Sequence, residues 1–184
     1  MQRIKRMVPL LALAALMASC GGNSPEKGVT VREMDQQVKA VEDSLKRGLI
    51  KPDPAVEARY AESCLKIYRT FPNSKEAPRY LDKAHMIYSS AGSHEIAARY
   101  ADTLIRKYPK YENRPMVLLS LASAYDMFIV PRNKFLVEKY YRLLLTENPN
   151  LPKEEREGYE FRLKHIDLTY EELIDLQAQK AVNQ

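Results

Sequence analysis

Tyrosine spacing is the feature that most constrains the fold of this 184-residue chain. Tyrosines stand at positions 60, 68, 80, 88, 100 and 108, so the intervals alternate between 8 and 12 residues. The segment Ala58–Ser63 also returns forty residues later as Ala98–Thr103, with four identical and two conservative positions. A period near 40, built from two units of about 20 residues, is typical of arrays of paired helices that stack to bury a core.

The first helix is predicted over residues 30–48. Thr30 and Glu33 have the spacing of a capping box, in which each side chain bonds the other residue's backbone N–H. One apolar stripe follows at helical spacing, formed by Val31, Met34, Val38, Val41 and Leu45. The stripe covers only about two heptads, so we expect it to pack on the next helix of the same chain; a coiled-coil seam is the alternative.

The repeat region is predicted over 53–150. Asp53 followed by Pro54 is an N-cap and a first-turn proline, and Gly92 supplies a turn residue that tolerates positive φ. Helices are expected over 54–70, 75–90 and 93–108, each closed by a Pro or Gly corner. Residues 152–177 are expected to form one C-terminal capping helix, followed by a frayed tail over 178–184.

The second repeat resembles the tetratricopeptide family. Tyr88, Ala97 and the pair Tyr108-Pro109 stand where that consensus has its first-helix aromatic, its second-helix small residue and its closing proline. The third repeat matches through Tyr125 and Pro149 if about three residues are inserted within 130–134. The resemblance implies an all-α, short right-handed helical-repeat solenoid of about seven helices after a cleaved signal peptide.

The same resemblance implies a groove lined by the first helix of each repeat, the usual site for a partner peptide or helix. In the family register, the groove residues are Arg79, Asp82, Lys83, Met86, Ser89 and Ser90 in repeat two, and Met116, Leu119, Ser123 and Met127 in repeat three. Methionine suits an adaptable apolar contact. Core packing is the alternative role for each of these apolar side chains.

The N-terminal 19 residues have the layout of a secretory signal, with a basic start and an apolar run over 7–17. That run is too short to span a bilayer, which takes about 20 residues. The ending Leu16-Met17-Ala18-Ser19-Cys20 resembles a bacterial lipobox, which implies an N-palmitoyl, S-diacylglyceryl Cys20 and, with Gly21 next, the outer membrane. Residues 20–29 would then be a flexible tether of at most about 33 Å. An ordinary cleaved signal peptide is the alternative.

Charge gives little support to nucleic-acid binding. The formal charge is +5, but Arg3, Lys5 and Arg6 supply three of these positive charges and would leave with residues 1–19. The remaining chain carries +2, which is close to balance. We therefore expect no nucleic-acid partner.

No local motif indicates catalysis. His85, His94 and His165 belong to no metal-ligand spacing, and the chain has no glycine-rich phosphate loop. Cys64 lies on an apolar helix side without an evident base, so we expect a buried structural thiol. These observations predict a protein that is not an enzyme and needs neither metal nor cofactor.

A helical-repeat body behind an acylated cysteine resembles the tetratricopeptide lipoprotein of the outer-membrane β-barrel assembly machine, the BamD type, over about residues 53–150. The resemblance implies a periplasm-facing scaffold at the outer membrane, with β-barrel or secretion subunits as partners. Two alternatives remain open. One is a stand-alone periplasmic peptide-binding or cell-wall-associated adaptor, and the other is an accessory subunit of a surface glycan or peptide-processing system.

Overall fold

The computed structural model describes residues 30–47 and 53–182, and its regular secondary structure in these ranges is helical throughout. The predicted all-α class is therefore confirmed. Cys20, the signal segment 1–19 and the tether 20–29 lie outside the described residues. The elements are α1 (Val31–Lys46), α2 (Pro54–Thr70), α3 (Ala77–Ser90), α4 (His94–Lys107), α5 (Arg114–Ser123), a π-helix (Ala124–Phe128), α6 (Lys134–Glu147), α7 (Lys153–Lys164) and α8 (Tyr170–Val182).

Side-chain caps and one glycine set several of these boundaries as the sequence predicts. Oδ1 of Asp53 accepts hydrogen bonds from the backbone N–H groups of residues 55 and 56, both at 2.8 Å. Oγ of Ser74 accepts from the N–H of Ala77 at 3.1 Å, so α3 begins two residues later than expected. Gly92 has φ of 76° between α3 and α4, a conformation that costs glycine little.

The C-terminal region differs from the single helix expected over 152–177. It forms α7 and α8, because Arg162 turns inward and donates to the carbonyl groups of His165 at 2.7 Å and Leu168 at 2.8 Å. Thr169 then caps α8: its Oγ1 accepts from the N–H of Glu172, whose carboxylate accepts from the N–H of Thr169. The tail expected over 178–184 is helical as far as Val182.

The core lies between helices that are neighbours in the chain. Each helix from α1 to α6 packs against the next, with the π-helix lying against α4, α5 and α6. Small residues face the tightest of these contacts, since Ala84 of α3 and Ala101 of α4 are fully buried. Cys64 is also fully buried, as expected, and burial raises the pKa of its thiol to about 12.

The π-helix lies just before the segment 130–134, where the sequence predicts an insertion. The N–H of Ile129 bonds the carbonyl of Ala124 at 2.9 Å, five residues back, so one additional residue is inserted at the end of α5. Asp126 then points inward and is bound by Arg162 and Arg132. Burial alone would raise the pKa of Asp126, but the two guanidinium groups outweigh it and hold the pKa low.

Ala101→Glu tests this packing. The substitution is expected to lower the free energy of unfolding by about 3 kcal/mol or more, because it buries an unpaired carboxylate. Ala58→Glu introduces the same side chain at an exposed position of α2 and should change stability by less than about 0.5 kcal/mol. Chemical denaturation measures both variants, and equal stability of the two would contradict the packing described for α4.

Candidate functional site

A solvent-open cleft lies between α3 and α5, bounded at one end by the start of α4 and the last residue of the π-helix. Its volume is about 560 Å³. Met86 of α3 and Met116 of α5 line it, together with Phe128. These three side chains are 57%, 59% and 53% exposed, so more than half of the surface of each large apolar side chain remains in water.

Three polar residues from α3 and α5 form a relay along the same cleft. Nδ1 of His85 lies 3.2 Å from Oδ1 of Asp82, and Nε2 lies 2.8 Å from Oγ of Ser120. Only the imidazole can donate to an ionised carboxylate, which assigns the proton of a neutral His85 to Nδ1. Nε2 then accepts a hydrogen bond from the hydroxyl group of Ser120.

Asp82 is the centre of this relay, although it is only 4% exposed. The hydroxyl of Tyr111 donates to its Oδ2 at 2.9 Å, and Nδ2 of Asn113 donates to the same oxygen at 2.7 Å. Burial raises the pKa of Asp82, but the bonds from His85, Asn113 and Tyr111 prevail and leave it lowered. The buried carboxylate thus joins α3 to the segment between α4 and α5, and His85 extends the connection to Ser120 of α5.

The order Asp82, His85, Ser120 is also the order in which hydrolases activate a serine. A hydrolase needs N–H donors beside the serine to receive the developing oxyanion. Ser120 lies inside α5, whose backbone N–H groups at that point are engaged in the helix's own bonds. In this geometry the three residues hold α3 and α5 together and place polar groups along the cleft. The expectation that the protein is not an enzyme stays a prediction.

His94 adds an aromatic wall to the cleft. Its ring stacks on Phe128 with centroids 4.3 Å apart and planes inclined by 15°. Nδ1 of His94 is buried and has no hydrogen-bond partner among the described residues. The start of α4 therefore brings an aromatic face and one unused polar atom to an otherwise apolar end of the cleft.

The structure separates the predicted groove residues into three groups: residues that line the cleft, residues of α5 and the π-helix that lie outside it, and residues that face α1. Asp82, Met86 and Met116 line the cleft together with Ser89 and Ser90. Leu119 packs on the core, and Ser123 is half-buried at the end of α5, outside the cleft. Met127 is 39% exposed on the π-helix and does not line the cleft.

Arg79 and Lys83 form the third group, because α1 lies against them. Nη2 of Arg79 donates to Asp35 at 2.7 Å, and the hydroxyl of Tyr80 donates to the same carboxylate. One side of α3 is therefore covered by the N-terminal helix.

Glu42 repeats the arrangement two helical turns later. It is bound by Nζ of Lys83 and by the hydroxyl of Tyr60. We call the four binding residues the carboxylate clasp: Tyr60, Arg79, Tyr80 and Lys83.

Sequence reasoning missed His85, His94, Ser120 and Phe128 as residues of one cleft. His85 and Asp82 are three residues apart on a helix, a spacing that brings side chains together and signalled their contact. Ser120 and Phe128 come from elements 35 and more residues further on, and no local pattern connects them to α3.

Comparison with known proteins adds no relative, since the chain matches no protein-family model and no curated protein sequence. In residues 30–47 and 53–182, none of the helices combines the length and apolar character that crossing a bilayer requires. Over the same ranges, no three His, Cys, Asp or Glu side chains converge as metal ligands would.

Substitution of Asp82 tests the relay. Asp82→Ala removes the acceptor of three donors and is expected to lower the free energy of unfolding by about 3 kcal/mol, whereas Ser120→Ala should cost about 1 kcal/mol. Asp175→Ala, at an exposed position of α8, is the matched control. Urea denaturation provides the measurement. An Asp82→Ala variant as stable as the control would show that the carboxylate does not join these elements.

Proposed function

We propose that this protein is a membrane-anchored scaffold that binds a partner protein through the cleft between α3 and α5. The observation that carries the proposal is the exposure of Met86, Met116 and Phe128 beside one another in that cleft. Clustered large apolar side chains in water mark binding surfaces. The flexible thioether side chains of Met86 and Met116 suit a contact that adapts to its ligand.

The scaffold proposal includes a short tetratricopeptide-like solenoid. Two features support it: each of the helices α1 to α7 packs on its neighbour in the chain, and the segment Ala58–Ser63 recurs at Ala98–Thr103. In such an array the first helices of successive repeats line a common groove. α3 and α5 hold those positions in repeats two and three, and the cleft lies between them.

The membrane part of the proposal rests on the sequence around Cys20. An acylated Cys20 would hold the body at the periplasmic face of the outer membrane, and two or more acyl chains give stable anchoring. Partners of the proposed scaffold are outer-membrane β-barrel or secretion subunits of an envelope assembly complex.

A peptide-binding adaptor is the second candidate. It is favoured by the dimensions of the cleft, since about 560 Å³ lies within the usual range for small ligands and suits a few residues of an extended chain. Ser89, Ser90 and Ser120 offer hydroxyl groups along the cleft for the polar atoms of such a segment. The two candidates differ in whether a stable complex is recovered.

A pull-down of the full-length protein in mild detergent tests the scaffold. We expect stoichiometric recovery of envelope assembly subunits, identified by mass spectrometry. Met86→Glu/Met116→Glu should reduce that recovery at least tenfold, because two carboxylates would have to be desolvated in the interface. Tyr170→Glu/Ile174→Glu is the matched control, as it adds two charges at exposed apolar positions of α8.

The outcomes of the pull-down separate the candidates. Loss of the partner in the cleft variant alone supports the scaffold and its site. Recovery of the protein without partners contradicts the scaffold and favours the peptide adaptor. Equal recovery with wild type and both variants would assign the partner to another surface.

Cys20→Ser tests the membrane anchor. Without the thiol no diacylglycerol can be attached, so the protein should leave the outer-membrane fraction. Fractionation followed by immunoblotting measures this, with Cys64→Ser as the control because that thiol is buried and is expected to take no lipid. Persistence of the Cys20→Ser protein in the membrane fraction would contradict lipidation.

A further inference from the structure

The N-terminal helix α1 is attached differently from the helices that follow it. Only Met34 and Val38 of its sixteen residues are buried, whereas α4 buries five of fourteen. Val31, Val41 and Leu45 are only half-buried, and Asp35 and Glu42 add two ion pairs to this contact. α1 therefore packs on the rest of the protein through a small apolar surface and two charged side chains.

The two charges are bound in the same way. Each carboxylate meets one cation and one tyrosine hydroxyl of the clasp, and the two carboxylates lie seven residues apart, which is two helical turns. Burial raises the pKa of Asp35 and of Glu42, but their hydrogen bonds overcome this and leave both pKa values lowered. The clasp therefore fits two carboxylates that lie seven residues apart on one helix.

The clasp opens at one end onto a further cleft of about 800 Å³. Arg79 stands at the junction, and Lys75, Lys107 and Lys110 line the space beyond it, against the acids Glu76 and Glu112. Among the residues outside α1 that line this cleft, basic side chains outnumber acidic ones. An acidic helix approaching from this side meets attractive charge before it meets α1.

We propose that the carboxylate clasp is a docking site for an acidic amphipathic helix of a partner protein, and that α1 is the resident helix which this partner replaces. The ligand is defined by what α1 presents: an apolar residue, a carboxylate next to it, a second apolar residue one turn on, and a second carboxylate seven residues after the first. Met34, Asp35, Val38 and Glu42 are these groups in α1.

None of the four clasp residues lines the cleft of Met86. It rests on the proposed function only in taking a helix of another protein as its ligand. The experiment below uses this chain and one peptide, so it can fail while the pull-down succeeds, and the reverse.

The test measures exchange of α1 with a copy added in trans. A fluorescent peptide with the sequence of residues 30–47 is titrated with the full-length protein in detergent, and anisotropy reports binding. Resident α1 competes at about millimolar effective concentration, because it is joined to α2 by a few residues. Wild-type protein should therefore bind the peptide weakly.

Weakening the resident helix should expose the clasp. Asp35→Asn/Glu42→Gln in the protein keeps the shape of both side chains and removes both charges, and it should bind the peptide at least tenfold more tightly than wild type. Asp43→Asn removes one charge from an exposed position of the same helix and should bind as wild type does. Adding Arg79→Glu/Lys83→Glu to the first variant should abolish its gain.

Three results would overturn the proposal. One is equal peptide affinity of wild type and Asp35→Asn/Glu42→Gln while circular dichroism shows both folded. Another is a gain in affinity that survives Arg79→Glu/Lys83→Glu. The third is a wild-type dimer that the peptide dissociates, which would assign the clasp to α1 of a second copy of this chain.

Discussion

Hydrogen bonds from tyrosine hydroxyls to carboxylates connect helices throughout this structure. Tyr60 and Tyr80 bind the two carboxylates of α1, Tyr111 binds Asp82 of α3, and Tyr140 of α6 donates to Asp102 of α4 at 3.0 Å. Each bond needs a ring long enough to cross a helix interface and an acid that stays ionised at its far side. The carboxylates of Asp35, Glu42 and Asp82 meet that need with lowered pKa values, and burial raises the pKa of Tyr60 and Tyr80.

Tyr60 and Tyr80 belong to the series of tyrosines at alternating intervals of 8 and 12 residues, whereas Tyr111 and Tyr140 do not. The helices α2, α3 and α4 begin and end within about two residues of the positions expected from Asp53, Ser74 and Gly92. Local signals act over one turn, so they mark helix ends well. The acid that each tyrosine meets lies 18 to 45 residues away, and spacing alone does not identify it.

The candidate site was predicted in part for the same reason. Met86 and Met116 were assigned to one groove from the repeat register, and they do line one cleft. Arg79 and Lys83 were assigned to it as well, but α1 covers them, because a helix outside the repeat can pack on a face that the register leaves open. The break between α7 and α8 had a local signal that was overlooked, the capping box of Thr169 and Glu172.

The buried thiol of Cys64 has a consequence for the surroundings in which this protein can persist. The thiolate is the form that reacts with oxidants and disulfides. Burial raises the pKa of the Cys64 thiol to about 12, so the thiol form prevails near neutral pH, and the core encloses it. As long as the core stays folded, it therefore keeps the Cys64 thiol away from oxidants and from other thiols.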